Sequence, residues 1–244
     1  MTHHFEHNHG LYLSVQPIFD NVSIEALENK LTAALPSCPE NQTYLSSITS
    51  SAAPSRVKLQ RLAALSCFLS LLKEICPSAL SSIRLHRDEN GRPYAQTADH
   101  KLQTMDFNLT HTEGLVACAL LTGKGRVGVD AEAVMAPERA QKLTARFFTS
   151  REQAYLASLP CDKTATEATR LWTGKEALSK QDGRGYPLGF DSLCVPDELT
   201  LYHAMIQVSP KTDICFALSL CVPENSPVPC VGNASLPLDL QKSL

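Results

Sequence analysis

Apolar and polar residues alternate from Leu11 to Val15, which predicts a strand over residues 11–19. The period then lengthens. Ile24, Leu27 and Leu31 recur at helical spacing, so a helix capped by Asn21 or Ser23 is expected to about Leu35. Residues 36–55 are rich in Ser and Pro and read as a surface loop. An apolar stripe of Val57, Leu62, Leu65, Leu69 and Leu72 predicts a long helix over residues 55–75, stopped by Pro77. Short strands are expected over residues 82–86, before the turn signal Glu89-Asn90-Gly91, and over residues 105–109. Residues 115–122 and 126–131 are apolar strands separated by Gly123-Lys124-Gly125, the punctuation of a hairpin. Pro137 opens a helix to about Phe148, and Ser150 caps another to about Leu159. Residues 164–181 form a third, ended by Asp182-Gly183 and Gly185. Residues 190–221 hold two or three strands, LYHAMIQV and ICFALSLC among them, and the four prolines after residue 221 predict an irregular tail. Strands and helices come in runs rather than in strict alternation, so the fold class is α+β.

Composition narrows the function classes. The chain has 244 residues, enough for a core without staples, and it is 43% hydrophobic and 19% charged, as ordinary globular proteins are. Twenty-two basic residues against 25 acidic ones give a net charge of −3, which argues against a broad nucleic-acid surface. No apolar run approaches the ~20 residues that span a bilayer. The nine cysteines are odd in number and form no CxxC pair. Cys67 and Cys118 sit in apolar runs, where a thiol serves as a small hydrophobe. Residues 1–10 carry four of the eight histidines and read as a loose tail rather than a metal site; they lack the cationic start and apolar core of a secretory signal. A reduced, cytoplasmic protein is expected.

Five stretches are candidates for chemistry. Gly123-Lys124-Gly125-Arg126-Val127-Gly128 fits GxGxxG, but strand rather than helix follows it, against the dinucleotide reading. In an extended chain Asp130 and Glu132 share one face. They are either a solvated acidic strand end or ligands for a hard cation such as Mg²⁺. Trp172, Glu176 and Lys180 are four apart on one helical face. Glu176 and Lys180 there are an exposed ion pair, or a third carboxylate and a phosphate ligand. Trp172 alone reads as core, and Gly174 inside the helix points to close packing. Asn108-Leu109-Thr110-His111-Thr112-Glu113-Gly114 is a turn held by its own hydroxyls, or a phosphate-binding turn. Phe147-Phe148-Thr149-Ser150-Arg151-Glu152 reads as a helix entry, with Thr149 or Ser150 as cap.

The order NLTHTEG, RVGVDAE, RFFTSREQAYL, LWTGKEALSK resembles the surfactin-synthetase-activating type of 4′-phosphopantetheinyl transferase. That family shows a G-[KR]-P segment, a Ser/Thr-His turn, a GxDxE-like strand and, about 40 residues on, a W-[ST]-x-K-E-x-x-x-K helix. Here these are Gly91-Arg92-Pro93, Thr110-His111, Gly128 to Glu132, and Trp172 to Lys180, within residues 55–195. The resemblance implies two similar α+β halves related by a pseudo-twofold, with the active site in the cleft between them. On that reading residues 1–10 are a tail, 11–118 and 119–221 are the halves, and 222–244 a second tail. It implies transfer of 4′-phosphopantetheine from coenzyme A to a serine of an acyl or peptidyl carrier protein, with Mg²⁺ as cofactor. The implied metal ligands are Asp130, Glu132 and Glu176. Arg56, Arg61, Arg92, Thr110, His111 and Lys180 would bind coenzyme A. Glu176 would be the general base, with Lys175 orienting or shuttling. Leu65 and Ser70 stand where many relatives carry further Arg. No nucleic acid or membrane is implied, and a monomer suffices. The alternatives are a non-catalytic coenzyme A or carrier-binding relative, and another Mg²⁺-dependent phosphotransfer enzyme.

Overall fold

The computed structural model describes residues 10–18, 22–97, 105–184, 189–191, 198–208, 214–227, 229–231 and 239–242. Chain order is β1 (Gly10–Pro17), α1 (Ile24–Ala34), α2 (Pro39–Thr49), α3 (Ser55–Ile75), β2 (Arg84–Arg87), β3 (Pro93–Gln96), β4 (Met105–Thr112) and β5 (Leu115–Thr122). Then come β6 (Gly128–Ala133), α4 (Pro137–Phe147), α5 (Ser150–Ala157), α6 (Cys161–Asp182), β7 (Leu199–Gln207), β8 (Cys215–Pro223), β9 (Cys230–Val231) and β10 (Gln241–Lys242). The mixture is α+β, as expected.

Two four-stranded sheets form, in the orders β4-β5-β1-β9 and β10-β7-β8-β6; β2 and β3 are a separate hairpin. Alternation decides what lies between the sheets. Leu11, Leu13 and Val15 of β1 and Leu115, Ala117 and Ala119 of β5 share one core with Val129 and Ala131 of β6 and Phe216, Leu218 and Leu220 of β8. On the far side of the first sheet, α3 packs its Leu62, Leu65, Phe68 and Leu72 against Phe107, Val116, Cys118 and Leu120. On the far side of the second, α6 lays Ala177 and Leu178 against Leu201 and Cys221. The site lies where the edge strands β4 and β6 meet.

Several expectations are corrected. Residues 36–55 contain a helix, α2, rather than only a loop. Pro39 sits in its first turn, and Tyr44, Leu45 and Ile48 bury one face. Its hydroxyls, which suggested a loop, turn back on the helix: Ser47 Oγ donates to the Tyr44 carbonyl and Thr49 Oγ1 to that of Leu45. Buried Asn41 ties α2 to β2, donating to the Ile83 carbonyl and accepting from the Leu85 N–H, both at 2.9 Å. β5 and β6 are not a hairpin. Gly123 and Gly125 take φ of 114° and 121°, and the chain leaves one sheet for the other, so that β6 pairs with β8. A boundary after residue 118 would cut β5, whose pairing with β1 is continuous from Leu115 to Thr122. The C-terminal tail is not wholly irregular, because β9 adds to β1 in parallel and β10 to β7. Residues 1–9 of the His-rich tail lie outside the described residues.

Gly128 makes the contact between β6 and α6 possible. A Cβ there would sit 1.9 Å from the Ala177 carbonyl oxygen and 2.6 Å from the Gln181 nitrogen. Both obstacles are helix backbone, which does not yield as a side chain would. Gly128→Ala should therefore cost about 2 kcal/mol or more in denaturant unfolding, the range for overpacking a rigid site. A loss below about 0.5 kcal/mol, the usual effect of a surface change, would mean that helix and strand can separate freely.

Candidate functional site

One edge of β6 pairs with β8, and the other needs partners for its backbone groups. β4 supplies them from its side chains. Asp106 Oδ2 accepts from the Val127 N–H at 2.7 Å, Asn108 Oδ1 from Val129 at 3.0 Å, and Thr110 Oγ1 from Ala131 at 3.3 Å. The match is geometric. Both chains are extended, so every second side chain of one meets every second N–H of the other. Two carbonyls on this edge are also satisfied: Arg92 Nη2 donates to Val127 at 2.9 Å and Lys180 Nζ to Val129 at 3.1 Å.

With Val129 and Ala131 turned into the core, Asp130 and Glu132 face α6. Asp130 is buried. Its Oδ1 accepts from Thr110 Oγ1 at 3.0 Å and from Lys180 Nζ at 2.7 Å, whereas its buried Oδ2 has no partner. Glu132 is held by Thr112 Oγ1 at 3.4 Å and faces Arg139 at 3.7 Å. Burial, then the Asp130 charge, raises its pKa. Burial, then Asp130, raises Glu176 to about 7, although Lys180 opposes the shift. His111 is pushed down to about 4 by burial, then by Lys180 and Arg61, so its imidazole is neutral at pH 7. Three carboxylates thus crowd one site, and burial with their mutual repulsion disfavours charge on Glu132 and Glu176 even beside Lys180.

The candidate residues divide. Asp130, Glu132, Glu176, Lys180, His111 and Arg61 interact electrostatically as one group. Arg56 is exposed and pairs with Glu113 at 2.7 Å, beside the β4–β5 turn. Three assignments do not fit the geometry. Arg92 is buried rather than reaching for a nucleotide; it donates to Asp106 at 2.6 Å, to the Phe107 and Val127 carbonyls and to that of Lys180. The Thr110 hydroxyl gives its proton to Asp130 and so is not free for phosphate. Lys175 does not orient Glu176. It points to the other side of α6, where Nζ donates to the Phe190 carbonyl at 2.7 Å and pairs with Glu152 at 2.9 Å. The strand expected over residues 105–109 runs on through Thr110 and His111 to Thr112, so these three are strand rather than turn.

Trp172 lies in the core, 5.5 Å from the Phe147 ring and 5.4 Å from Phe190 between centroids. Thr149 caps α5 reciprocally with Glu152, as the helix-entry reading expected; the second duty of Glu152, to Lys175, went unread. Asp106, with its bonds to Arg92 and Val127, was also missed. Its signal was available, since Asp106, Asn108 and Thr110 alternate with the apolar Met105, Phe107 and Leu109.

The donor set fits a hard divalent cation: three carboxylates, one with an orphaned buried oxygen and one holding its proton up to about neutral pH. As they stand, no three such side chains among the described residues are gathered tightly enough to enclose an ion. The Lys180 ammonium takes the place of a counter-ion on Asp130.

Comparison with known proteins agrees with the resemblance read from the motifs. Residues 126–221 match the family model described as the 4′-phosphopantetheinyl transferase superfamily. The chain is similar to the 4′-phosphopantetheinyl transferase HetI of Nostoc sp., 37% identical over 79 residues, which are 32% of this chain and 33% of that protein. It is also similar to a 4′-phosphopantetheinyl transferase of Bacillus subtilis, 32% identical over 130 residues, 52% of this chain and 53% of the other. A third relative is the 4′-phosphopantetheinyl transferase AcpT of Escherichia coli K12, 31% identical over 117 residues, 48% and 56%. The chain spans about half the length of the curated relatives it matches, and a third in the case of HetI.

The raised Glu176 pKa has a consequence for stability. The folded carboxyl keeps its proton to about 7 against an ordinary 4.5, so between these values the folded state binds more protons than the unfolded one. Stability from this group is present below 4.5 and is lost as pH rises through about 7. With divalent ions chelated, Glu176→Gln should gain in melting temperature relative to wild type across that window. Parallel Tm curves for the two proteins would remove Glu176 as the strained carboxyl.

Proposed function

We propose that the protein transfers 4′-phosphopantetheine from coenzyme A to a serine of an acyl or peptidyl carrier protein, releasing adenosine 3′,5′-bisphosphate. The observation that carries this reading is the meeting of Asp130 and Glu132 with Glu176 and Lys180, all inside the segment that matches the family model. The serine oxygen bonds to the phosphorus that carries pantetheine, and the bond from that phosphorus to the bridging oxygen of the nucleotide breaks. The serine proton needs an acceptor. Glu176, with a pKa of about 7, is suited to take it near neutral pH.

Charge placement explains the other residues. Lys180, partly exposed, exchanges the Asp130 carboxylate for a phosphate oxygen when the substrate enters. Neutral His111 offers an N–H to a phosphate, and Arg61 and Arg56 line the approach. Mg²⁺ held by Asp130, Glu132 and Glu176 would supply the charge neutralisation that a pyrophosphate needs. Arg92, Thr110 and Asp106 keep β6 in place. Inward commitment of Arg92 and Thr110 favours one second reading, a relative that binds coenzyme A without turning it over.

The same reading makes the two sheets, each with a long helix outside it, halves related by a pseudo-twofold with the reaction at their junction. It places the protein in the reducing cytoplasm as a monomer, in keeping with eight described cysteines that are all free. No described helix is long and apolar enough to cross a membrane. A carrier is met best by α4. Its Arg139, Lys142 and Arg146 are exposed along one stripe, and Arg139 faces Glu132 at the site. That stripe fits an acidic helical surface.

Incubation with coenzyme A, Mg²⁺ and several apo-carriers should add one phosphopantetheine to a carrier serine, read by intact mass. Asp130→Ala should lower the rate by about a hundredfold or more, as loss of a key electrostatic group does. No mass gain with any carrier, despite measurable coenzyme A binding, would favour the binding-only reading.

Reversing the stripe with Arg146→Glu should raise KM for the carrier about tenfold, as removal of steering charge does, and leave KM for coenzyme A unchanged. An equal effect on both substrates would place the carrier elsewhere.

A further inference from the structure

The interface between α6 and its sheet holds a chain of polar side chains that the proposed chemistry does not use. Thr173 and Ser219 are wholly inaccessible, and His203 is buried. His203 Nδ1 lies 2.7 Å from Ser219 Oγ, which lies 2.7 Å from Thr173 Oγ1, and Thr173 Oγ1 donates to the Arg170 carbonyl at 3.0 Å. That carbonyl only accepts, and it takes the Thr173 proton. Ser219 must then donate to Thr173, and His203 must donate through Nδ1–H to Ser219. The chain has one direction, and each proton in it has one destination. Burial, with Arg170 nearby, lowers the His203 pKa to about 3, so the imidazole is neutral as this order requires.

Its place in the fold links it to the site. Ser219 is registered opposite Asp130 on β6 and opposite His203 on β7. The three form one cross-strand row beneath α6. The helix comes close on either side of that row. A Cβ on Gly174 would lie 3.1 Å from Leu201 and 3.3 Å from His203, and Gly128 admits the Ala177 carbonyl as described above. Close steric contacts of this kind resist separation of helix and sheet more than a small rotation of the helix about its axis. Hydrogen bonds are directional and do resist it. Glu176 and Lys180 follow Thr173 by one and two turns, so the roll set at Thr173 sets where they point.

We propose that Thr173, Ser219 and His203 are positioning residues, which fix the roll of α6 over the sheet and so hold the Lys180 ammonium on Asp130 with Glu176 beside it. Only the expected effect on turnover rests on the proposed function; the geometry is measurable without substrate.

The test is lysine labelling by reductive methylation, read by mass spectrometry on the full chain below its melting temperature. In the wild type, Lys180 should react slowly because its ammonium is ion-paired. Thr173→Val keeps the shape and removes the hydroxyl. It should speed labelling of Lys180 about fivefold, the change that one lost hydrogen bond gives. The exposed Lys73 should keep its rate, and Thr173→Ser should restore protection of Lys180. Ser219→Ala breaks the chain at its middle and carries the same expectation should Thr173→Val not fold. Carrier modification should lose kcat in parallel with protection, with KM for coenzyme A held. Lys180 labelling unchanged in the folded variants, or raised equally with Lys73, would overturn the inference. A labelling response in a protein that modifies no carrier would sustain it and refute the proposed function instead.

Discussion

The constraint on which the rest depends is the free edge of β6. A sheet edge presents N–H and C=O groups that must find partners once buried. Here the neighbour is another edge, β4, and the two do not pair backbone to backbone. Asp106, Asn108 and Thr110 reach across and accept one N–H each. A side-chain joint of this kind holds the two sheets at greater separation than a ladder would. It also fixes the carboxylate row, because Thr110 bonds both the β6 backbone and Asp130 itself.

The joint also explains why the site is electrostatically unsatisfied. Thr110 and Lys180 both approach one oxygen of Asp130, and the other is buried without a partner. Glu176 answers by holding a proton to about 7. Protonation, a divalent cation and the Lys180 ammonium are three ways to supply the same missing positive charge. On the proposed function, a pyrophosphate that drew Lys180 away would make the deficit larger and favour a cation most at that moment. Substrate and metal would then be coupled through this one lysine.

Most elements were legible in the sequence, for reasons that also identify the misses. The long helices α3 and α6 show an apolar or functional period over many turns, and both lie where expected. α2 was hidden because its Ser and Thr side chains satisfy themselves on helix carbonyls, a behaviour that composition does not reveal. The β5–β6 link looked like a hairpin because glycines mark a change of direction without saying whether the chain returns to the same sheet. At the site, Asp130, Glu132, Glu176 and Lys180 come together as one charged group, as the resemblance implied. Arg92 and Thr110 were readable only as polar groups near it, because whether a polar side chain faces substrate or backbone is decided by the partner strand. The partner of Arg92 includes a carbonyl at Lys180, 88 residues away.

The helix motif is more specific than any role it carries, and α6 shows why. Trp172 enters the aromatic cluster with Phe147 and Phe190. Lys175 anchors the entry of α5 through Glu152, and Thr173 and Gly174 meet β8 and β7. Ala177 meets the backbone of Gly128, and Lys180 meets Asp130. Consecutive positions of a helix point about 100° apart, so a short stretch of sequence surrounds the whole axis. A helix exposed on one side would leave some of these positions free to vary. Here each side is occupied by a different element, and a change at any position moves the helix against all the others. The spacing W-T-G-K-E-x-x-x-K is therefore a docking constraint first, and its chemistry depends on the docking being met.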